Sequence, residues 1–213
     1  MEKLAIFDVD YTLTKKETSI ELFKYALKKN PKNIIYIPRA VFSGLLYVMG
    51  IYNEKQSKET FLKFIDGIEE KEMEKLIKGF YRDRLSKIIY QDAITMMKKL
   101  KSDGYKIYLI SASPEFYLKE LYNLAIVDRI IGTRYICTGG YHSKSMEGEN
   151  CKGEEKVKRL MEDLKIENVE VDFKSSYMFS DSLSDKPLFD LVGKAYLINY
   201  KKKHDTIEIL RWK

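Results

Sequence analysis

The stretch KLAIFDVDYTLT, residues 3–14, decides how this chain is read. Four apolar residues, Leu4, Ala5, Ile6 and Phe7, run directly into two carboxylates, Asp8 and Asp10, with no basic residue between them. The apolar run reads as a short buried strand. Like charges this close raise each other's pKa and cost free energy, so something must compensate them.

Working outward, the pattern after Thr14 is helical for a long way. Ile20, Phe23 and Leu27 keep helical spacing, as do Phe61, Phe64, Ile65 and Ile68, then Met73, Leu76, Ile77 and Phe80. No strand-like alternation interrupts residues 15–88, so this block is expected to be a helical insertion. From Tyr90 the rhythm changes. Ala93, Met96, Met97 and Leu100 predict a helix ended by Gly104. YKIYLIS (105–111) reads as a strand, and Ser113-Pro114 as the opening of another helix. RIIGTRYI (129–136) reads as a strand, 154–164 as a helix, SYMFSD (176–181) and KAYLIN (194–199) as strands. Strands alternating with helices imply a parallel sheet covered on both faces. The expected fold is α/β, a Rossmann-like parallel-sheet core (1–14 and 89–213) with a helical cap (15–88) inserted after the first strand.

Composition narrows the class without naming an activity. With 213 residues, 45% hydrophobic and 33% charged, the chain suits one core plus a smaller domain in an ordinary globular protein. The net charge of +6 suits an anionic partner, but solubility accounts for it as well, and no nucleic-acid partner is expected. Cys137 and Cys151 match no zinc or redox spacing, which points to a reducing, cytoplasmic setting. Asp8 and Asp10 fall where the apolar part of a signal peptide would have to lie. The most apolar segment, 33–53, is broken by Pro38 and Arg39, so it reads as a buried or interfacial helix rather than a membrane span.

In parallel sheets, ligands bind beyond the carboxyl ends of the strands. The first strand delivers Asp8 and Asp10 there, the strand at 105 delivers Ser111, and the strand at 176 delivers Asp181 with Asp185 close behind. A helix opening near residue 152 carries Lys152 and Lys156. Asp8, Asp10, Asp181 and Asp185 are hard oxygen ligands suited to Mg²⁺, and that cation would answer the repulsion at Asp8 and Asp10. One carboxylate can attack phosphorus and a second can move a proton. Ser111 and a lysine can hold the phosphoryl oxygens. Each residue alone has an ordinary structural reading, as a turn, a helix cap or a solvated lysine. Their joint arrival at strand ends is what points to a site.

FDVDYTLT resembles the DxDxT motif of the haloacid dehalogenase superfamily of phosphohydrolases, and LISAS resembles its second motif, an apolar strand ending in Ser or Thr. CKGEEKVKRL is similar to the lysine-bearing third motif and FSDSLSDKPLFDLVG to the acidic fourth, in the manner of the phosphoserine-phosphatase-like branch. The resemblance implies Asp8 as nucleophile, Asp10 as general acid/base, and Ser111 with Lys156 as the phosphate clamp. It implies Mg²⁺ held by Asp8, the Asp10 main-chain carbonyl and Asp181, with Asp185 ligating directly, through water, or by orienting the lysine. Two positions depart from the family pattern. Ser180 stands where the fourth motif usually has Gly, and Lys152-Gly153 competes with Lys156-Val157 for the third motif; Lys156 is favoured.

The expected activity is Mg²⁺-dependent hydrolysis of a small-molecule phosphomonoester through an aspartyl-phosphate. A phosphomutase is the alternative within the superfamily, and a receiver-like phospho-signalling domain the alternative outside it. Receiver domains lack DxDxT and leave no room for a cap after the first strand. By resemblance, phosphoserine phosphatases hold the substrate ammonium with a Glu after the first motif, which Glu17 matches, and its carboxylate with a cap Arg, where this chain has Phe64. A non-amino-acid phosphomonoester is therefore expected ahead of phosphoserine. Arg39 and Lys32 beside the apolar segment keep a lipid-like phosphate, and with it a membrane surface, as a lesser alternative. The oligomeric state is not legible.

Overall fold

The computed structural model describes all 213 residues. In chain order its elements are β1 (Lys3–Phe7), α1 (Thr18–Lys29), α2 (Ile37–Val48), α3 (Glu54–Phe61), α4 (Glu70–Asp83), α5 (Gln91–Ser102), β2 (Tyr105–Pro114) and α6 (Glu115–Leu118). There follow β3 (Arg129–Thr133), β4 (Tyr135–Thr138), β5 (Tyr141–Met146), α7 (Glu154–Ile166), β6 (Tyr177–Ser180), α8 (Lys186–Leu191), β7 (Lys194–Ile198) and β8 (Glu208–Leu210). Short 3₁₀ turns link several of them, including Pro31–Tyr36 ahead of α2. Two compact units result: Met1–Glu17 with Ile88–Gly132 and Cys151–Lys213, and Thr18–Lys87 with Thr133–Asn150.

The first unit is built on a six-stranded sheet in the order β3-β2-β1-β6-β7-β8. β1 pairs in parallel with β2 on one side and β6 on the other, and β7 is parallel to both β6 and β8. This is the Rossmann-like α/β arrangement expected from the alternating pattern. Alternation along β1 sends Leu4 and Ile6 to a cluster with Ile110, Met178, Leu160 and Leu188. On β1, Phe7 stacks on its register partner Phe179 (centroids 4.4 Å apart), which in turn stacks on Tyr196. Burying each such side chain stabilises the fold by roughly 1.5–3 kcal/mol, and the central strand is consequently immobilised from both faces. Gly104, at φ +83°, ends α5 as its sequence position suggests. The chain leaves and re-enters this unit side by side, with Thr14 bridging Ile89 and the Lys15 N–H donating to the Ile88 carbonyl at 2.7 Å.

The second unit is helical except for one hairpin. Met73, Ile77 and Phe80 form the buried stripe of α4, and Phe64 packs against Phe23 of α1 at 5.0 Å. Sequence pattern assigns residues 133–150 to the sheet unit, whereas they cluster with the helices. The single strand expected at 129–136 is two: β3 joins the large sheet, and β4 pairs with β5. The turn between them is Gly139-Gly140, both at positive φ, as tight two-residue hairpins demand. The hairpin is tied down by the Gly67 N–H to the His142 carbonyl (2.8 Å) and the Lys144 N–H to Asp66 (3.0 Å).

Two smaller expectations also change. β2 runs on through Pro114, so the following helix starts at Glu115 and lasts one turn. Of the buried and interfacial readings of segment 33–53, the buried one does not hold: Ser43 is the only buried residue of α2. No helix is long and apolar enough to cross a membrane. Both cysteines are free thiols, Cys137 exposed and Cys151 buried.

Candidate active site

β1 ends where its carboxyl edge meets the ends of β2 and β6, and there the backbone N–H of Asp8 donates to the Phe179 carbonyl at 2.9 Å. The chain then turns tightly: the N–H groups of Leu13 and Thr14 both donate to the Val9 carbonyl at 2.9 Å, and Tyr11 takes φ +57°. That turn keeps Asp8 and Asp10 at one edge rather than carrying Asp10 onward along a strand.

Lys156 organises the site. It lies in the first turn of α7, is almost fully buried, and its Nζ donates to Asp8 Oδ1 and to Asp185 Oδ2, each at 2.7 Å. Ser180 Oγ donates to the same Asp185 oxygen at 2.8 Å. Asp185 stands just before α8 yet makes no side-chain cap for it, so the reading of this residue as a helix cap falls away. Ser113 Oγ donates to Asp10 Oδ2 at 2.6 Å, and Ser111 Oγ accepts from the Ser113 N–H at 3.1 Å. The Asp181 N–H donates to Thr12 Oγ1 at 2.8 Å, tying the end of β6 to the turn after β1.

Of the residues singled out from sequence, Asp8, Asp185 and Lys156 are in direct contact. Asp10, Ser111 and Asp181 stand at the same carboxyl edge of the sheet. Lys152 is half-buried one residue before the glycine that precedes α7, while the ammonium between the two carboxylates belongs to Lys156. Three supporting residues had no assigned role: Thr12, Ser113 and Ser180. Thr12 is the threonine of the DxDxT pattern itself, Ser113 belongs to LISAS, and Ser180 fills the usual glycine position. Ser180 is thus a donor to Asp185, which glycine could not be.

Charge at this edge is incompletely balanced. Burial pushes the Asp8 carboxyl above the usual range; Lys156 pulls it back, and Asp185 and Asp10 raise it further. Burial likewise lifts Asp181, to about 6, with Asp185 adding to the rise. Burial would lower the Lys156 ammonium, but Asp8 and Asp185 more than reverse this and hold it above its ordinary value. One ammonium, in contact with Asp8 and Asp185, therefore stands against four carboxylates, those two with Asp10 and Asp181.

A divalent cation fits this environment. Asp185 Oδ1 is buried without a hydrogen-bond partner, a costly state that a cation or its water would relieve. No three acidic side chains converge into a ready-made cage. That suits Mg²⁺, which keeps several waters and takes only one or two carboxylates plus substrate oxygens. Beside the edge lies a cleft of about 540 Å³ that includes Tyr11, Tyr90, Asp181, Tyr200 and Lys201 in its wall.

The family model for haloacid dehalogenase-like hydrolases matches residues 5–190. A histidinol-phosphatase from Neisseria meningitidis is 25% identical over 206 residues, spanning 93% of this chain and 91% of its own. Protein CicA from Caulobacter vibrioides is 26% identical over 160 residues, 75% of this chain and 71% of its own. Among solved structures, a protein of unknown function from Bordetella pertussis aligns with a TM-score of 0.83 at 21% identity, over 94% of this chain and 92% of that one. A phospho-aspartyl intermediate analogue of phosphoserine phosphatase aligns at 0.64 and 22% identity, over 94% and 88%. At these identities the structural likeness speaks for the fold.

Proposed function

Because the chain belongs to the haloacid dehalogenase-like hydrolases, a phosphatase-like enzyme family here, we propose that it hydrolyses a small-molecule phosphomonoester with Mg²⁺ through an aspartyl-phosphate on Asp8. The observation that carries this reading is the Lys156 ammonium held between Asp8 and Asp185 at the carboxyl edge of the sheet. It sets a fixed positive charge beside Asp8, which draws the buried carboxyl back toward its ionised form, where a phosphoryl group would meet both.

An Asp8 carboxylate oxygen attacks phosphorus and the bond from phosphorus to the ester oxygen breaks. Asp10 gives its proton to the departing oxygen, and Ser113 orients it by the 2.6 Å bond to Oδ2. Asp10, now ionised, takes a proton from water; the water oxygen bonds to phosphorus, the bond from phosphorus to Asp8 breaks, and inorganic phosphate leaves. Lys156 and Ser111 hold the phosphoryl oxygens as charge develops on them. Asp8, the Asp10 carbonyl and Asp181 would hold Mg²⁺, which supplies positive charge against the phosphate. Asp185 orients Lys156 through Oδ2, and its unpartnered Oδ1 would meet the cation or a water on it.

The substrate is expected to lack an α-amino acid head. Phe64, at the position of the carboxylate-binding arginine, is buried against Phe23 and belongs to the packing of the helical unit. Phosphoserine would leave its carboxylate without a bidentate partner. The test is to quench a reaction with p-nitrophenyl phosphate in acid and map the labelled peptide by mass spectrometry. Phosphate on Asp8 is the expected result; turnover with no acid-stable, hydroxylamine-labile adduct in residues 3–14 overturns the mechanism.

A further inference from the structure

Helix α2 is inside out. Ile37, Val41, Leu45 and Val48 repeat at helical spacing along one side, the pattern by which a helix ordinarily faces a core. Here that side faces solvent: Val48 is 83% exposed, Val41 67% and Leu45 53%, while Ser43, on the other side, is 1% exposed. Ser43 is turned inward, where its carbonyl accepts a bond from Ser57 Oγ of α3 at 3.3 Å. The apolar surface continues into the preceding 3₁₀ turn through Ile34 (62%) and Ile35 (69%). Contiguous exposed apolar surface rimmed by polar groups marks an interaction site.

The charges around it select the partner. Residues 22–53 contain five basic side chains (Lys24, Lys28, Lys29, Lys32 and Arg39) and no acidic one. Lys24 is paired with Glu21, and Lys29 lies 3.8 Å from Asp83; Lys28, Lys32 and Arg39 are exposed without an acidic partner. A second copy docked symmetrically would set these cations against their own counterparts, since a two-fold interface places the same patch on both sides. An acyl-chain boundary under anionic headgroups takes both the apolar stripe and the basic rim. The helix has 12 residues, about 18 Å of length, against a hydrocarbon core of about 30 Å; it can lie in the interface but not span it.

We propose that the α2 face docks the helical unit onto an anionic lipid bilayer surface. Ile34, Ile35, Val41, Leu45 and Val48 enter the acyl boundary, and Lys32 and Arg39 meet the headgroups. The proposal is independent of the phosphatase reading, and the experiment keeps the two apart.

The experiment is flotation of the full chain with vesicles of phosphatidylcholine alone or of an equimolar mixture with phosphatidylglycerol, at low and high salt. The wild type is expected to float with the phosphatidylglycerol vesicles and to be released by salt. The Val41→Gln/Leu45→Gln pair should weaken partition by about tenfold or more, and Lys32→Ser/Arg39→Ser by roughly fivefold per charge removed. Both pairs should melt like the wild type, and Val41→Gln/Leu45→Gln should retain its turnover of soluble p-nitrophenyl phosphate. Failure of the wild type to float overturns the proposal, as does equal, salt-insensitive binding to phosphatidylcholine. A dimer in analytical ultracentrifugation that Val41→Gln/Leu45→Gln dissociates, with no vesicle binding, assigns the face to a second copy instead. Absence of p-nitrophenyl phosphate turnover with flotation intact counts against the phosphatase reading and leaves docking standing.

Discussion

The end of β1 and the outer face of α2 break the same rule in opposite directions. At the first, the protein buries Asp8, Lys156 and Asp185, charges that cost several kcal/mol each to take out of water unless paired. Along the second it exposes Val41, Leu45 and Val48 and buries a serine. Neither arrangement serves stability in water. The buried charges become sensible once a phosphate and a cation are supplied, and the exposed aliphatics once an apolar surface is supplied. A departure from ordinary partition between core and solvent points to the missing partner, and its sign tells the partner's character.

The sharpest way to break that comparison is at Asp8. Asp8→Asn keeps the shape and removes the nucleophilic charge, so kcat toward p-nitrophenyl phosphate should fall by about 10⁴-fold or more. A variant retaining a tenth of wild-type activity would show that the buried charge is structural. Next comes Lys156→Ala, expected to lower kcat/KM by about 10²–10³-fold and to destabilise the fold by about 3–5 kcal/mol, because Asp8 and Asp185 lose their cation. Lys152→Ala should change both little. Equal losses in the two variants would mean that contact with Asp8 and Asp185 does not decide the role.

How the sequence disclosed these two regions differs for a physical reason. The site was legible because its residues come in local motifs, each at the end of a strand or the start of a helix, and the parallel sheet gathers such ends at one edge. The lysine alone was ambiguous: Lys152 and Lys156 are four apart, and only the fold shows which ammonium reaches Asp8. The supporting roles of Thr12, Ser113 and Ser180 cannot be read from sequence, because a hydroxyl that supports a carboxylate has no spacing of its own. The hairpin within 133–150 is missed in sequence because RIIGTRYI (129–136) reads as one strand; the Gly139-Gly140 turn is the available signal. For α2, apolar content identifies a helix that is buried or interfacial but carries no information about which side faces water. Of those two readings, the structure excludes burial.

Phosphoserine tests the substrate side of the comparison. With Phe64 packed against Phe23, a bound carboxylate would stay unpaired, at a cost of a few kcal/mol. Phosphoserine should therefore be turned over with kcat/KM below about 10⁴ M⁻¹s⁻¹ and roughly 10²-fold less well than the best phosphomonoester in a panel that includes glycerophosphate and a lipid phosphate. The reverse ranking would show that Phe64 is not where specificity is lost. Supplying the cation comes next in size. Mg²⁺ at about a hundred times its Kd should stabilise the protein by about 2.7 kcal/mol, measured by urea unfolding beside an EDTA control. Asp181→Asn should abolish most of that gain. An unchanged Mg²⁺ effect in this variant would remove Asp181 from the ligand set.

The smallest effect is expected on the face that looks most in need of covering. In water, Leu45 is 53% exposed and Ser43 1%, so hydrophobic content and stability should part company along α2. Leu45→Gln removes an apolar side chain that is already largely hydrated, and urea unfolding without lipid should place it within about 0.5 kcal/mol of the wild type. Ser43→Leu adds apolar volume where α2 packs against α3 and should cost about 1–3 kcal/mol by overpacking, although it makes the helix more hydrophobic. If instead Leu45→Gln destabilises by as much as Ser43→Leu, the leucine side is covered in solution by protein, and α2 is an ordinary core helix. A near-silent Leu45→Gln beside a costly Ser43→Leu shows that the stripe contributes nothing to folding, which leaves binding as the reason for its residues.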